Sequence, residues 1–317
     1  MTVLEKRPLG RTGLTVPPLC VGTSALGSLP RLYGYDVETD QALVTLRAVF
    51  DGPIPFVDTS NSYGNGESER RIGAVLRELG GLPDDFLLST KVDPDRSQPV
   101  LDFSGTRMRA SLDESSERLG IDYFPLVYLH DPERISFEEA TAEGGPVEAL
   151  VQLRDEGRIG HIGVAGGPVE LLQRFVGLGV FEAVITHNRF TLLNRSAVPL
   201  LDQCAAAGVA VVNGAPFGGG ILAKGPEAAP RYAYRELPDE LRDSVIAMSA
   251  ACDRAGVPLA AAALQFSMRD PRISATIVGI TRPERLDETL RNAEAPISNE
   301  LWDELDTLCP PEETWLR

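Results

Sequence analysis

The sequence predicts a closed (β/α)8 barrel, the TIM-barrel architecture of the α/β class, preceded by an N-terminal β-hairpin. Three observations carry this expectation. Eight short apolar runs recur along the 317 residues, segments of helical spacing lie between them, and no Ser/Pro/Gly-rich linker divides the chain. A single barrel domain over residues 1–317 is therefore expected. An open doubly wound sheet would carry a GxGxxG loop after its first strand, and Leu19 to Leu26 is followed by none.

The elements follow in order. Arg7 to Val16 has glycines at its centre, Gly10 and Gly13, and reads as a hairpin. Strands are expected at Leu19 to Ala25, Pro55 to Thr59, Phe86 to Val92, Phe124 to His130, His161 to Ala165, Ala183 to His187, Val209 to Asn213 and Ala275 to Ile280. Each is short, partly β-branched or aromatic, and apolar on both alternations, as strands buried on two faces of a parallel sheet must be. Between the second and third, Ile72, Val75, Leu76 and Leu79 recur at i, i+3, i+4 and i+7, with Glu67 and Glu69 near the start and Gly80-Gly81 as the stop, which specifies a helix. Val147, Leu150, Val151 and Leu153 before Gly157, and Leu171, Leu172 and Phe175 after Gly167-Pro168, repeat the pattern. The one long irregular stretch, about Phe217 to Leu237, carries Tyr232 and Tyr234 and lies between the seventh and eighth strands, on the side where barrel active sites are built.

Composition removes several functional classes. With 43% hydrophobic residues and this length, the chain buries a large core and is not disordered. Its 46 acidic against 30 basic side chains give a net charge of −16, with no basic block, so a phosphate backbone is repelled and nucleic acid is not an expected partner. No apolar run reaches the roughly 18 to 20 residues that a bilayer span needs, and Glu5, Lys6 and Arg7 stand where a signal core would begin, so no membrane partner and a cytoplasmic location are expected. Cys20, Cys204, Cys252 and Cys309 show neither CxxC nor zinc spacing and read as free thiols that serve mainly in packing.

Barrels carry their chemistry at the C-terminal ends of strands. Here the second strand leads through Asp58 to Tyr63, the third ends at Lys91-Val92 and the fourth at His130-Asp131, so Asp58, Tyr63, Lys91 and His130 share one rim. A phenol donates protons poorly at neutral pH unless a nearby cation favours phenolate; Lys91 would be that cation, Asp58 would hold it, and His130 would direct a hydrogen bond at a substrate oxygen. The plainer alternative, position by position, is a structural Asp–Lys pair and a Tyr that covers a loop; four polar groups on adjacent strand ends favour catalysis. His161 begins the fifth strand, on the wrong rim. No metal site is expected, since His130-Asp131 has no second His at ligand spacing. No GxSxG elbow supports a serine nucleophile.

At these residues the chain resembles the aldo-keto reductases, (β/α)8 oxidoreductases that use a nicotinamide dinucleotide and an Asp, Tyr, Lys, His tetrad. The resemblance runs nearly end to end, through Leu9-Gly10-Arg11-Thr12-Gly13-Leu14, Asp58 to Gly64 with Gly66-Glu67-Ser68-Glu69, Ser89-Thr90-Lys91-Val92, His130-Asp131-Pro132, Gly157 to Val164, and Thr281 to Leu286. It implies that Tyr63 is the general acid or base, tuned by Lys91 and Asp58, with His130 orienting the substrate. The cofactor positions depart from the family pattern. Ala165-Gly166-Gly167 replaces a common Ser-Asn pair, and His187-Asn188-Arg189-Phe190 replaces Gln-x-Glu, leaving His187 or Asn188 for the nicotinamide amide. Gly214 stands at the stacking Tyr, in a run that continues with Pro216, Phe217 and Gly218, so that Phe217 or Phe190 is left to offer a ring. The loop after the eighth strand, Gly279, Thr281, Arg282, Arg285, Glu288 and Thr289, matches the adenosine-phosphate site, with Gly279 where a Lys is frequent. One fewer cation favours NAD over NADP.

These departures resemble the branch that oxidises sugars such as L-fucose and D-threo-aldoses to lactones, which also contains pyridoxal dehydrogenase-like members. The expectation is oxidation of an aldose C1 hydroxyl by an NAD(P)-dependent enzyme, on a rim that offers Asn61, Tyr63, His130, His187 and Asn188, with Tyr232 and Tyr234 available. Two alternatives stand beside it: a pyridoxal dehydrogenase or general aldehyde and ketone reductase, and a cofactor-binding barrel that acts as a redox-sensing regulatory subunit.

Overall fold

Side chains alternate across a strand, so the residues at i and i+2 share one face. That rule builds this molecule from the barrel axis outward. The computed structural model describes residues 4–95, 99–233 and 235–316. Its strands there are β1 (Arg7–Pro8), β2 (Thr15–Val16), β3 (Leu19–Gly22), β4 (Phe56–Asp58), β5 (Leu87–Val92), β6 (Phe124–His130), β7 (Ile159–Gly166), β8 (Ala183–His187), β9 (Ala210–Gly214), β10 (Arg231–Tyr232), β11 (Arg235–Glu236) and β12 (Ala275–Gly279). β3 to β9 pair in parallel in sequence order, and β12 closes the barrel between β9 and β3. β1 and β2 form the expected antiparallel hairpin.

One face of each barrel strand points to the axis. Cys20, Phe56, Leu126, Tyr128, Ala165, Ala183, Ile185, Ala210, Val212 and Ala275 form an inner core, and Leu9 and Val16 of the hairpin region pack into the same cluster. The opposite face, with Val57, Leu88, Val127, Leu129, Val164, Val184, Val211 and Val278, packs against the surrounding helices in a larger apolar layer. Continuing the inner parity by two residues from Phe56, Tyr128, Ile185 and Val212 reaches Asp58, His130, His187 and Gly214. The fold therefore sets these positions one tier above the core, at the C-terminal mouth.

The helices lie where the spacing predicts. Glu67–Leu79 starts with Glu67 and Glu69 in its first turn and is stopped by Gly80 in the left-handed conformation. Pro146–Asp155 and Val169–Gly177 follow β6 and β7. Leu79, expected on the buried stripe, is instead 52% exposed, because the stripe through Ile72, Val75 and Leu76 already covers the barrel.

Most strand bounds shift by a residue or so, and the larger corrections are these. The first strand ends at Gly22 rather than Ala25, since Ser24–Gly27 winds into a short 3-10 turn. β7 begins at Ile159 and ends at Gly166, two residues earlier and one later than expected. The stretch Phe217 to Leu237 is largely ordered: it contains the helix Ile221–Ala228, broken at Gly225 ahead of Pro226, and the antiparallel pair β10–β11. Tyr234 lies outside the described residues. Cys20, Cys204 and Cys252 are buried thiols and Cys309 is half-buried, none in a disulfide. Among the described residues no single helix is long and apolar enough to cross a membrane.

Candidate active site

The mouth of the barrel is organised by one buried ion pair. Lys91, on the inner face of β5, donates from Nζ to Asp58 Oδ2 at 2.5 Å and to the Thr59 carbonyl at 2.7 Å. Ser89 donates to the other carboxylate oxygen of Asp58 at 2.9 Å. Both ions are almost wholly buried, with side chains 2% and 4% exposed. Charges this far from water persist because these hydrogen bonds offset their desolvation; removing one partner costs roughly 3–5 kcal/mol.

Tyr63 arrives from the loop after β4. That loop continues beside β5, through Thr59 N–H to the Ser89 carbonyl and Asn61 N–H to the Lys91 carbonyl, before it turns. Gly64 follows at φ +61°, and a Cβ there would lie 1.9 Å from the Gly27 carbonyl oxygen, so only glycine allows the loop to rest on the turn after β3. Tyr63 is thereby held with its ring 4.6 Å from Lys91 Nζ and edge-on to the His130 imidazole, with 5.7 Å between ring centroids.

Several groups of the folded mouth act on the phenol's acidity. Burial, followed by the negative charges of Asp58, Asp131 and Asp93 and by the neighbouring Tyr33 phenol, pushes Tyr63 well above its ordinary range. Lys91 lies over the ring and is already engaged by Asp58, so its charge does not prevail. Tyr63 therefore stands at neutral pH as a phenol with its proton in place, competent to donate it.

His130 ends β6. Its Nδ1 lies 2.8 Å from Asp93 Oδ1 and 3.1 Å from Ser60 Oγ, while Nε2 is 3.6 Å from Asp131 Oδ1. Asp93 and Ser60 were not singled out from the sequence. Asp93 was within reach of the same parity rule, lying two residues beyond Lys91; its partner was not, because that contact joins two strands.

Across the mouth, burial and then the Arg189 charge lower the His187 imidazole to about 4, so it is neutral at pH 7. Asn188, at φ +59°, places its amide nitrogen 3.1 Å from His187 Nδ1, and its buried Oδ1 has no hydrogen-bond partner. The sequence argument against a metal considered only His130-Asp131. The structure brings Asp131, Glu133 and His187 together, with one ligand atom of each within 4.8 Å of the others. Glu133 already accepts the Gly167 N–H at 3.2 Å and Asp131 pairs with Arg134 at 3.2 Å, so this cluster is tied into the rim.

Several positions expected to face a ligand also make contacts within the protein. The Asn61 amide points outward, to the Ser111 carbonyl at 2.9 Å and Glu114 at 3.0 Å. Tyr232 is buried and donates to the Asn188 carbonyl at 2.9 Å, pinning the loop after β8. Phe190 is buried against Phe266, ring centroids 5.0 Å apart, and is spent on the outer core. Thr289 gives its hydroxyl to the Arg285 carbonyl at 2.7 Å, one turn back in its helix. Pro216 is buried, Phe217 is half-buried against the outer apolar layer, and Gly218 at φ +58° abuts the Tyr232 ring.

At the eighth strand, a Cβ on Gly279 would meet nothing within 4 Å, so this exposed strand end borders open space. Arg285, one turn into the helix Pro283–Glu294, lies 3.3 Å from Glu288, and the Thr281 carbonyl accepts from Gln41 Nε2 at 2.7 Å. Arg282 is exposed at the N-terminus of that helix.

Comparison with known proteins gives one consistent pattern. Residues 18–309 match the model of the Aldo/keto reductase family. The D-threo-aldose 1-dehydrogenase of a Pseudomonas species is 34% identical over 92% of this chain and 94% of its own length. The L-galactose dehydrogenase of Arabidopsis thaliana is 33% identical, covering 92% of this chain and 88% of its own. The pyridoxal 4-dehydrogenase of Microbacterium luteolum is 30% identical over 95% and 96%.

Proposed function

This chain belongs to the aldo/keto reductase family and is an NAD(P)-dependent oxidoreductase; from that premise we propose that it oxidises the C1 hydroxyl of L-fucose-like aldoses to lactones, with NAD preferred to NADP. The observation that carries the proposal is the convergence of Asp58, Lys91, Tyr63 and His130 at one barrel mouth, Lys91 and Asp58 in a buried pair beneath the phenol. Similarity to D-threo-aldose and L-galactose dehydrogenases supports a sugar as substrate.

The residues present fit a nicotinamide dinucleotide. The orphaned Asn188 Oδ1 is a ready acceptor for a carboxamide N–H, and His187 beside it is neutral. Gly214 and Gly279 leave the ends of β9 and β12 without side chains, and Arg282 and Arg285 supply positive charge near a helix N-terminus, where phosphates are favoured. When bound, the nicotinamide supplies the two-electron acceptor. Tyr63 and His130 then handle the proton of the substrate hydroxyl, and Lys91 and Asp58 hold Tyr63 in position. Arg285 is already partly neutralised by Glu288, and the Gly279 position offers no ammonium, so a 2′-phosphate gains little here.

One observation favours a second reading. With Asn61 turned outward and Tyr232 buried, the mouth has fewer hydroxyl-reading groups than the sequence implies, which suits a less hydroxylated substrate such as pyridoxal. A panel of aldoses, pyridoxal and simple aldehydes, each assayed with NAD and NADP in both directions, separates the readings. Selective NAD-linked oxidation of L-fucose-type sugars is expected; turnover of pyridoxal or apolar aldehydes alone would replace the sugar reading with the second one. Tight NAD(H) binding without any turnover would point to a sensor.

A further inference from the structure

Asn188 is held in place by a residue 44 positions further along the chain. It follows β8, is buried, and takes the left-handed conformation at φ +59°, which few residues other than glycine adopt. Its amide nitrogen donates to His187 Nδ1 at 3.1 Å, and that neutral imidazole has a lone pair to accept it. The two ends of an amide diverge, so this contact turns the buried Oδ1, which has no hydrogen-bond partner, away from His187. The Asn188 N–H reaches the Gly214 carbonyl at 3.3 Å, and the Asn188 carbonyl accepts from the Tyr232 hydroxyl at 2.9 Å.

Tyr232 is itself fixed on several sides. It is buried in β10 and pairs with Arg235 across the hairpin. Its ring packs against Gly218, where a Cβ would lie 2.6 Å from it, and the Ala233 N–H reaches the Gly218 carbonyl at 3.3 Å. A phenol has one proton, and Tyr232 gives it to the Asn188 carbonyl; toward Thr191 Oγ1, 3.3 Å away, the hydroxyl therefore accepts. Thr191 donates there while its oxygen accepts the Leu193 N–H at 3.1 Å, and its backbone exchanges two hydrogen bonds with Asn194, at 2.8 and 3.2 Å. The hydroxyl proton of Tyr232 is thus aimed at one peptide, the one that follows Asn188.

We propose that Tyr232 is a positioning residue for cofactor binding: its hydroxyl locks the peptide after Asn188, keeps that residue left-handed, and so holds Oδ1 as the acceptor for the carboxamide N–H of a nicotinamide. This rests on the reading of Asn188 as the amide acceptor. Without the hydroxyl, the Asn188–Arg189 peptide is free to rotate toward the commoner right-handed form, and the side chain turns with the backbone. The ring of Tyr232 serves packing and the hydroxyl serves alignment, so Tyr232→Phe separates the two. Thr191 supports the alignment, because its donated proton leaves the Tyr232 hydroxyl only the Asn188 carbonyl to donate to.

The test is calorimetric titration of the full-length enzyme, without substrate, with NAD and with 3-acetylpyridine adenine dinucleotide, in which a methyl group replaces the amide NH2 and the carbonyl is kept. The wild type is expected to bind NAD about tenfold more tightly than the analogue, the weight of one hydrogen bond to a buried acceptor. In Tyr232→Phe, NAD affinity is expected to fall to within about twofold of the analogue's, while the analogue's own affinity stays within about twofold of its wild-type value. Thr191→Val, which frees the Tyr232 hydroxyl to rotate, is expected to shrink the same ratio by about threefold or more. Equal affinities in the wild type refute the reading of Asn188, and the proposal with it. A wild type that discriminates, beside a folded Tyr232→Phe whose ratio is unchanged, overturns the role of Tyr232 alone, whether or not both affinities fall. If Tyr232→Phe does not fold, an unchanged ratio in Thr191→Val overturns it.

Discussion

Tyr63 lies beside an ammonium and within the field of three carboxylates, and the carboxylates together with burial keep its proton on. Its hydroxyl is the group that exchanges a proton with the substrate oxygen in the proposed step. Tyr63→Phe removes that hydroxyl while keeping the ring over Lys91, so kcat should fall by about 10² to 10⁴-fold with NAD affinity nearly unchanged. Steady-state kinetics and a fluorescence titration of NADH check this, and retention of most activity removes Tyr63 from the proton path. His187 makes a second prediction. Its imidazole titrates near 4 in the folded protein against 6.5 in an unfolded chain, so below pH 6.5 the unfolded state binds a proton that the folded state refuses. Stability should thus be lost as pH falls from about 6.5 to 4, by up to roughly 3 kcal/mol from this residue. Urea midpoints of His187→Asn should decline less over that range than those of the wild type; parallel declines would contradict the assignment.

Strands and helix termini carry the next scale. At the end of β12, Gly279 faces open space, and the helix Pro283–Glu294 brings Arg285 next to Glu288. Gly279→Lys adds an ammonium there without a steric clash and should tighten NADPH relative to NADH by about tenfold, the value of one charge-assisted hydrogen bond. Arg285→Ala should weaken NADPH more than NADH. Titration of both reduced cofactors measures both effects, and an unchanged ratio in both variants would move the phosphate site elsewhere. At this scale the sequence was most legible: eight apolar runs and a period of two were enough to set Asp58, Lys91 and His130 on one rim. What stayed hidden depends on contacts between elements. Asn61 reads as a rim residue until the helix Gly105–Leu119 offers it the Ser111 carbonyl and Glu114. Tyr232 reads as available to a substrate until its hydroxyl finds the Asn188 carbonyl. The acidity of Tyr63 depends on the sum of burial and three acidic residues at or just beyond the ends of different strands, a balance that no single motif encodes.

For the whole molecule, the inner core of the barrel is the platform on which the mouth stands. Tyr128 fills the axis directly below His130, and its ring lies so close to β7 that a Cβ on Gly163 would meet it at 2.2 Å. Gly163→Ala should therefore destabilise the fold by about 1–3 kcal/mol through overpacking, measured as a lower urea midpoint; an unchanged midpoint would show that the ring can move aside. With that platform rigid, the four groups at the mouth are preorganised before any ligand arrives, and the central claim concerns what they do to a sugar. Carbon-13 NMR of L-fucose labelled at C1, incubated with the enzyme and NAD, tests it most directly. The account predicts loss of the two anomeric signals, appearance of a lactone carbonyl and an equal amount of NADH, all abolished by Tyr63→Phe. Unchanged anomeric signals for L-fucose and related aldoses, in a preparation that oxidises pyridoxal or an apolar aldehyde with the same cofactor, would contradict it.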